Sequence, residues 1–310
     1  MTAIYFDQRL SDDQRRQALY GGDIVVYSAL PSAQRLCALA AAMIKVAFAP
    51  IDPRRVDQYL SMEETATILA KLKPAFIHHK DCKRLLPEII SDLGGDPDKV
   101  YFDVPRMRSA YPAHYLTSGI AYAFHPHRDT WYSAPLCQIN WWLPIFDLTA
   151  ENCLAFRTKY YDTPVANNSE IYNYAEWNAR NRVDAAKHVR SDTREQPKPK
   201  QEIESHDIRV ICPPGGLILF SGAHLHETVP NTSGVARYSI DFRTVHLDEV
   251  VAHTGARNQD SRCTGTTIRD YLRCSDLRQL PEDVIRSYDS DGGRAARMAP
   301  VSIPETALIS

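Results

Sequence analysis

Seven short apolar or alternating runs dominate the chain from about residue 99 onward. Glycine, proline and asparagine punctuate the segments between the runs. Short strands that are closed off by turn residues are typical of a β-sandwich or a β-barrel. The sequence therefore predicts an all-β core after residue 99. The predicted strands cover residues 100–102, 119–124, 136–146, 153–156, 209–212, 217–220 and 237–246.

The first third of the chain has a helical pattern instead. Ser11 and the acidic residues after it suit a helix start, and Gly21 suits its end. Because proline disrupts a helix, we expect helices to stop before Pro74 and to break at Pro87. The predicted helices cover residues 11–20, 33–48, 62–72 and 80–93, and a strand covers residues 24–27.

Two further segments flank or interrupt the predicted β core. Residues 157–206 form an insertion with a helical stretch at 170–189 and a Pro-Lys-rich part, which favours a lid or excursion over core. The tail after residue 250 is polar, with one predicted helix at 281–288 and a loose stretch at 291–294. No internal repeat or second domain is evident. We expect one domain over 1–310, with helical support at 1–98, the core at 99–247 and a tail at 248–310.

Composition excludes several classes of partner. The 36 basic and 38 acidic residues nearly cancel, so no strong field would draw the chain to nucleic acid or to an anionic membrane. The N-terminus lacks the pattern of a signal peptide, and no apolar run approaches the ~20 residues of a membrane span. Seven dispersed cysteines without a CxxC pair predict reduced thiols rather than a disulfide framework or a zinc ribbon. These features indicate a cytoplasmic protein that recognises a partner through a local site.

The stretch HPHRDTW, residues 125–131, is the first candidate for such a site. Residues two apart on a strand point to the same face, so His127 and Asp129 could bind one metal ion together. An H-x-D pair with a distant histidine is the pattern of a two-His-one-carboxylate triad, which leaves metal positions open. Alone, the pair occurs by chance in many chains, and His125 is a further possible ligand.

A second segment, residues 213–243, strengthens the metal-site interpretation. A predicted strand leads to His224 and His226, and Arg237 follows within a short loop. On the predicted strand at 237–246, the alternate positions from Arg237 to Arg243 share one face.

That face carries only charged or hydroxyl side chains. An inward-facing polar stripe is costly unless it lines a site, whereas an outward-facing stripe would simply be solvated. The inward interpretation is favoured by the order and spacing of the two segments. The stripe consists of Arg237, Ser239, Asp241 and Arg243.

These residues resemble the signature of the Fe(II)/2-oxoglutarate-dependent dioxygenases, most closely the phytanoyl-CoA dioxygenase-like branch. The resemblance rests on His127-x-Asp129, on His226 with its H-x-x-x-x-N pattern, and on Arg237-x-Ser239. It spans roughly residues 10–245, is strong at 119–156 and 213–243, and is weak across the helical region. It implies a mainly β fold with flanking helices: a double-stranded β-helix, or cupin-like jelly roll, with an N-terminal helical region.

The resemblance also implies roles for individual residues. Three side chains would bind Fe(II), namely His127, Asp129 and His226. His224 would either support these ligands or be a packing residue, and its role stays open. Arg237, assisted by Ser239, would bind the distal carboxylate of 2-oxoglutarate, for which a guanidinium fork is suited. Second-rank cosubstrate contacts are Phe124, Gln138 and Asn140, although Trp142 on the same face could instead fill the barrel.

The implied activity is oxidation of a small-molecule C–H bond by O2, with release of succinate and CO2 and with ascorbate as a possible support. Asp129 argues against halogenation, because halogenases of this fold carry a small residue there. The substrate and the oligomeric state stay open. Arg243 and Trp131 are the candidate substrate contacts, while Arg106, Arg108 and Arg157 are expected at the surface. Tyr101, Tyr132 and Trp177 could wall the site but are more often core.

Two other functions compete with the oxygenase. Residues 125–129 also fit the H-x-H-x-D motif of zinc hydrolases of the metallo-β-lactamase type, although Thr130 stands where that motif continues with histidine. A cupin-like binding protein with a vestigial site would keep the barrel without iron or cosubstrate. Metal content and a 2-oxoglutarate decarboxylation assay separate the three.

Overall fold

We analysed a computed structural model of the chain. It describes residues 2–121, 125–180, 188–191, 194–204 and 206–290. The helices are α1 (Asp12–Tyr20), α2 (Pro31–Phe48), α3 (Met62–Ile77), α4 (Lys80–Asp92), α5 (Tyr174–Arg180), α6 (Leu247–Ala252) and α7 (Glu282–Ser290). The strands are β1 (Ile4–Phe6), β2 (Ile24–Tyr27), β3 (Val100–Phe102), β4 (Arg106–Ala110), β5 (Ile139–Pro144), β6 (Leu154–Phe156), β7 (Ile208–Val210), β8 (Leu217–Ser221), β9 (His226–Thr228), β10 (Arg237–His246) and β11 (Leu272–Arg273).

The predicted helices form, and their ends follow the capping rules. Ser11 accepts from the backbone N–H of Gln14, whose side chain accepts in turn from the Ser11 N–H; Ser61 and Glu64 repeat this capping box at the start of α3. The expected stop before Pro74 and break at Pro87 are wrong, since α3 and α4 continue through these residues. Each helix has an apolar face buried against the core, and that burial outweighs one lost backbone hydrogen bond.

Strand β10 organises the larger sheet. It pairs antiparallel with β5 along one edge, and with β3 and β4 along the other. The sheet order is β1-β2-β8-β5-β10-β3-β11, with β4 beside β10. One face of β10 carries Tyr238, Ile240 and Phe242, which are fully buried in the main hydrophobic cluster with residues of α2, α3 and α4. The helical region therefore covers this face of the sheet.

A smaller sheet packs on the opposite face. Its order is β7-β6-β9, all antiparallel. Leu154 and Phe156 of this sheet form a second buried cluster with Trp142, Ile218 and other residues of the larger sheet. The two sheets are antiparallel except for the parallel β1–β2 pair, and they enclose a core and a site between them. This arrangement is the jelly-roll architecture, which confirms the predicted fold class.

The metal-motif region departs from the predicted strand. Residues Gly119–Ala121 form a 3-10 turn, with Gly119 at a φ of 58°, where a strand over 119–124 was expected. His127 joins the smaller sheet only through an isolated bridge to His226, and Asp129 opens a second 3-10 turn, Asp129–Tyr132. Alternation on a strand is therefore the wrong reason for placing His127 beside Asp129; a turn places them together.

Other differences are smaller. Four strands, β1, β4, β9 and β11, were not predicted, and all four have five residues or fewer. The insertion contains α5 at its start, within the predicted helical stretch 170–189, of which residues 181–187 lie outside the described part of the chain. The predicted C-terminal helix is α7. The loose stretch at 291–294 also lies outside the described residues.

Among the described residues, one stretch, residues 31–58, is long and apolar enough to cross a membrane. This finding corrects the expectation that no apolar run approaches that length. Leu36, Ala40 and Ile44 of α2 are nevertheless fully buried in the main cluster. The core helix of a soluble protein passes the same test of length and composition.

Candidate metal centre and cosubstrate pocket

Three potential metal ligands converge between the two sheets. One ligand atom from each of His127, Asp129 and His226 lies within 4.8 Å of the others. The Asp129 Oδ1 atom is 3.5 Å from the Nε2 atom of His127 and 3.9 Å from that of His226. Two imidazoles and one carboxylate form the donor set of a facial triad, with room for further ligands.

Backbone pairing explains how residues a hundred positions apart meet. The N–H of His127 donates to the His226 carbonyl at 3.0 Å, and the N–H of His226 donates back to the His127 carbonyl at 2.9 Å. A residue pair that exchanges both hydrogen bonds has its side chains on the same side of the sheet. The bridge therefore aims both imidazoles at one point.

Hydrogen bonds also select the ring nitrogen that faces the carboxylate. The Nδ1 atom of His127 lies 2.8 Å from the His125 carbonyl, and the Nδ1 atom of His226 lies 3.0 Å from the His224 carbonyl. Because a carbonyl only accepts, Nδ1 carries the proton in each ring. In the neutral tautomer of each ring, the Nε2 lone pair is then directed toward Asp129, as metal ligation requires.

Asp129 is positioned by a turn and a close backbone contact. The backbone N–H of Thr130 donates to the Gly222 carbonyl at 3.3 Å, and Gly222 donates to the Gln138 carbonyl at 3.0 Å. A Cβ atom added at Gly222 would lie 3.2 Å from the Gln138 side-chain nitrogen and 3.4 Å from Asp129 Cβ. The glycine lets the end of β8 approach the metal turn.

The charges at the triad favour metal-binding protonation states. Burial by itself would raise the pKa of Asp129, but the adjacent His127 side chain and the charge of Arg243 lower it well below its usual range. Burial, reinforced by His127, lowers the pKa of His226 to about 4. At neutral pH the carboxylate is ionised and His226 is neutral.

A polar network supports Asp129 from behind. The side-chain nitrogen of Gln138 donates to Asp129 Oδ2 and to Asn140 Oδ1, each at 2.8 Å. Its oxygen accepts from the Tyr271 hydroxyl at 2.8 Å. Gln138 and Asn140 both line the cavity, but Gln138 is committed to holding the carboxylate. Tyr271, which the sequence analysis missed, fixes Gln138 in turn.

The stripe on β10 faces the space between the sheets. Arg237, Asp241 and Arg243 line one cavity together with the three potential metal ligands. The cavity has a volume of about 350 Å³. Ser239 is fully buried on the same face, and its hydroxyl has no hydrogen-bond partner among the described residues.

Arg237 has a buried guanidinium with unused donors. Its Nε and Nη1 atoms are buried and have no hydrogen-bond partner within the described part of the chain. The guanidinium carbon lies 5.5 Å from the Trp142 ring centroid. Burial lowers the pKa of Arg237 to about 10, so the side chain is still charged at neutral pH. A buried cation with free donors is an anion site.

The loop before Arg237 is held by Asn231. Its side-chain nitrogen donates to the Ala110 carbonyl at 2.9 Å and to the Val235 carbonyl at 2.8 Å. These bonds tie the β9–β10 loop to the end of β4, beside the start of β10. Asn231 therefore fixes the strand position from which Arg237 enters the cavity.

Arg243 differs from the expected substrate contact. It lines the cavity, but it donates to Asp103 Oδ2 at 3.1 Å and lies 3.9 Å from Asp129 Oδ2. Arg243 also lies 3.5 Å from Asp241 Oδ1, so its charge is shared among Asp103, Asp241 and the triad carboxylate. Arg106 and Arg108, which were expected at the surface, instead line the cavity.

Several other candidates lie elsewhere. Trp131 is fully buried, packs with Tyr160, Val165 and Leu225, and donates from Nε1 to Asp260 at 2.6 Å. It contributes nothing to the cavity lining, so its assignment to the substrate is corrected to a packing role. Phe124 lies outside the described residues.

Some of the candidate histidines and aromatic residues line the cavity, and others lie outside it. His224 is fully buried against Tyr161, apart from the metal cluster, with ring centroids 4.5 Å apart. His125 is exposed, and its backbone carbonyl is hydrogen-bonded to Nδ1 of His127. The cluster of potential metal ligands among the described residues does not include His125, which weakens the H-x-H-x-D alternative. Tyr132 and Trp177 line the cavity, whereas Tyr101 is buried beside α6 and α7.

The last expected surface residue, Arg157, stays outside the cavity. It forms an ion pair with Glu227 and donates to the Glu204 carbonyl at 2.9 Å. No sequence pattern indicated the cavity residues from the helical and insertion segments. They include Lys73, Tyr172, Tyr174 and Asn178.

The chain matches no family model and no curated protein. Among solved structures it is similar to EvdO2 from Micromonospora carbonacea var. aurantiaca, at 13% identity and a TM-score of 0.43, covering 77% of this chain and 93% of that one. It is also similar to the epimerase SnoN in complex with Fe3+, alpha ketoglutarate and nogalamycin RO, at 12% identity and a TM-score of 0.41, covering 75% and 82%. AviO1 from Streptomyces viridochromogenes Tue57 is 15% identical, with a TM-score of 0.36 and coverage of 74% and 94%. All three similarities are remote.

Proposed function

We propose that this protein is a non-haem Fe(II)/2-oxoglutarate-dependent oxygenase that oxidises a C–H bond of a small molecule. One observation carries the proposal: a buried cluster of His127, Asp129 and His226 shares a cavity with Arg237, a buried cation with unused donors. A metal triad alone would fit several chemistries. A carboxylate-binding arginine in the same cavity favours one that uses an acidic cosubstrate.

The residues present fit both groups. The two Nε2 atoms and the Asp129 carboxylate would hold Fe(II), because the Nδ1 atom of each histidine is already hydrogen-bonded to a backbone carbonyl. Arg237 would hold the distal carboxylate of 2-oxoglutarate through its Nε and Nη1 donors, and the unpartnered Ser239 hydroxyl is available beside it. Trp142, Leu154 and Phe220 would provide apolar walls for the carbon chain.

Bound Fe(II) and 2-oxoglutarate together supply O2 activation for the oxidation, with release of succinate and CO2. The protein's own part is to bind, orient and shield. Gln138 holds the Asp129 carboxylate in position, and Arg237 fixes the acidic end of the cosubstrate. Tyr132 and Tyr172 line the cavity near the histidines and exclude water from it.

A turnover assay tests the proposal. With Fe(II), O2, ascorbate and a broad panel of small metabolites, we expect 2-oxoglutarate to be converted to succinate. Asp129→Ala and Arg237→Ala should each abolish the conversion, while Asp147→Ala, at an exposed position, should not. Absence of succinate in every reaction, equal activity in the variants, or stoichiometric zinc without turnover would refute the assignment. A mass gain of one oxygen in a panel compound would identify hydroxylation.

We further propose that the helical region, the β core with its insertion and the C-terminal segment act as one domain in the cytoplasm. Lys73 of the helical region, Trp177 of the insertion and Asp270 of the C-terminal segment all line the same cavity, which supports a single catalytic unit. All seven cysteines are buried free thiols, which supports a reducing compartment. Membership of the phytanoyl-CoA dioxygenase-like branch stays a prediction from the sequence motifs.

A further inference from the structure

One end of the cavity is built from α3, β4 and the 3-10 turn at Gly119–Ala121. Lys73 enters from α3, and Arg106 and Arg108 enter from β4. In the β4–β10 pairing, Arg108 lies opposite Ser239 and Arg106 lies opposite Asp241. Directly opposite residues share a face, so these arginines widen the polar stripe of β10 onto the neighbouring strand β4.

Lys73 has no carboxylate partner in the described part of the chain. Its ammonium donates to the Ile120 carbonyl, and no described carboxylate oxygen lies within the 4.0 Å of an ion pair. Burial, reinforced by the charge of Arg108 and opposed by that of Asp241, lowers the pKa of Lys73 to about 7. A partly buried amine among other cations is unfavourable unless an anion is bound beside it.

The cavity lining as a whole is also positively charged. The described lining has an excess of cations over carboxylates. The cations are Lys73, Arg106, Arg108, Arg194, Arg237 and Arg243, and the carboxylates are Asp103, Asp129, Asp241 and Asp270. Fe(II) and a dianionic cosubstrate would cancel each other and leave the excess unchanged.

Several of these charges are already paired within the protein. Arg106 and Arg243 both contact Asp103, and Arg108 donates to Asp241 at 2.6 Å. Arg237 would be neutralised by the proposed cosubstrate. Arg194 lies over the Trp177 ring, with its guanidinium carbon 5.3 Å from the ring centroid. Among the described residues, the Lys73 ammonium donates to the Ile120 carbonyl and forms no ion pair with a carboxylate.

An aromatic surface leads away from the metal ligands along the same cavity. The Tyr132 ring lies 5.5 Å from the His127 ring, Tyr172 lies 5.1 Å from Tyr132, and Trp177 lies 5.6 Å from Tyr172, measured between centroids. Such a surface suits a flat or apolar molecular body.

We propose that the substrate carries an oxyanion, a carboxylate or a phosphate, that binds at Lys73 and Arg108 while its body packs along Tyr132, Tyr172 and Trp177. That this molecule is oxidised rests on the proposed function. The anion site itself does not, because Lys73 and Arg108 lie outside the metal triad. The proposed site is built on α3 and β4, whereas Arg237 enters the cavity from β10.

The test compares charged and neutral probes on the full chain loaded anaerobically with Fe(II) and 2-oxoglutarate. Phenylacetate, phenyl phosphate and uncharged phenylacetamide are titrated by calorimetry. We expect at least one anionic probe to bind about tenfold or more tightly than the amide, as a partly buried ion pair implies. Lys73→Met should abolish that preference, and Lys73→Arg should retain it. Lys71→Met, an exposed lysine on the same helix, is the matched control and should behave as wild type.

The outcomes separate this proposal from the proposed function. Equal binding of the amide and both anions, no detectable binding of either anion, or an unchanged preference in folded Lys73→Met would overturn the anion site. If Lys73 only stabilised the fold through its hydrogen bond to the Ile120 carbonyl, its replacement would lower stability without changing the preference for anionic probes. An Arg237→Met variant should lose 2-oxoglutarate binding yet keep the preference for anionic probes. Failure of turnover with that preference intact would therefore refute only the oxygenase.

Discussion

Replacing Arg237 with methionine should weaken 2-oxoglutarate binding without destabilising the free protein. In the structure this guanidinium is buried, and two of its nitrogens have no partner among the described residues. Truncating one partner of a buried, hydrogen-bonded charge pair costs about 2–5 kcal/mol. Since about 1.4 kcal/mol corresponds to a tenfold change, the dissociation constant should rise about thirtyfold to a few thousandfold.

Arg237→Met should either stabilise the free protein or leave its stability almost unchanged. Each buried, unpartnered N–H group costs roughly 1–3 kcal/mol, and methionine removes two of them. The variant also loses the contact between Arg237 and the Trp142 ring, which is worth about 0.5–2 kcal/mol. The free energy of unfolding of the metal-free protein should therefore stay constant or increase.

Two measurements check this prediction. Anaerobic calorimetry with Fe(II)-loaded protein gives 2-oxoglutarate affinity, and urea unfolding of metal-free protein gives stability. Arg286→Met, at an exposed position on α7, is the matched control and should change neither quantity appreciably. Unchanged cosubstrate affinity in Arg237→Met would refute the assigned role. A loss of several kcal/mol in stability would show that Arg237 is structural instead.

Three further substitutions test the surroundings of the site. Gln138→Leu removes the donor to Asp129 and should weaken Fe(II) binding about 10- to 100-fold in equilibrium dialysis; unchanged affinity would refute its positioning role. Trp131→Phe removes a buried donor to Asp260 and should lower the free energy of unfolding by about 1–3 kcal/mol in urea while leaving substrate KM unchanged; a raised KM at constant stability would contradict the packing assignment. Burial lowers the pKa of Lys73 in the folded state to about 7, against an ordinary value of 10.5. Burying the protonated lysine therefore costs stability, in full below pH 7, and this cost decreases as the pH rises from 7 toward 10.5. The stability advantage of Lys73→Met over wild type should therefore shrink between pH 7 and 9; a constant difference would contradict a perturbed lysine.

Local pattern predicted most of the regular structure. Strand β10 has the predicted bounds, because its strict alternation of polar and apolar residues matches a sheet with one face on the core and one on a cavity. The capping residues Ser11 and Gly21 likewise mark the ends of α1. Pro74 and Pro87 misled the prediction because tertiary packing, which no local rule contains, keeps both helices continuous.

The three potential metal ligands lie together as predicted, but the prediction rested on an incorrect local structure. The spacing of His127 and Asp129 indicated a shared metal, but a turn and the bridge to His226 bring the ligands together, not a strand. Trp131 could not be separated from pocket residues, since its partner Asp260 lies far along the chain. Lys73 gave no signal at all, because its place in the cavity depends on how α3 packs beside β4.

Binding of Fe(II) tests the central claim most directly. The claim is that His127, Asp129 and His226 form one metal site. Equilibrium dialysis under anaerobic conditions should give one Fe(II) per chain for wild type and for the exposed-carboxylate control Asp147→Ala. Asp129→Ala should lose that binding while remaining folded. Equal Fe(II) binding by Asp129→Ala and wild type would contradict the account.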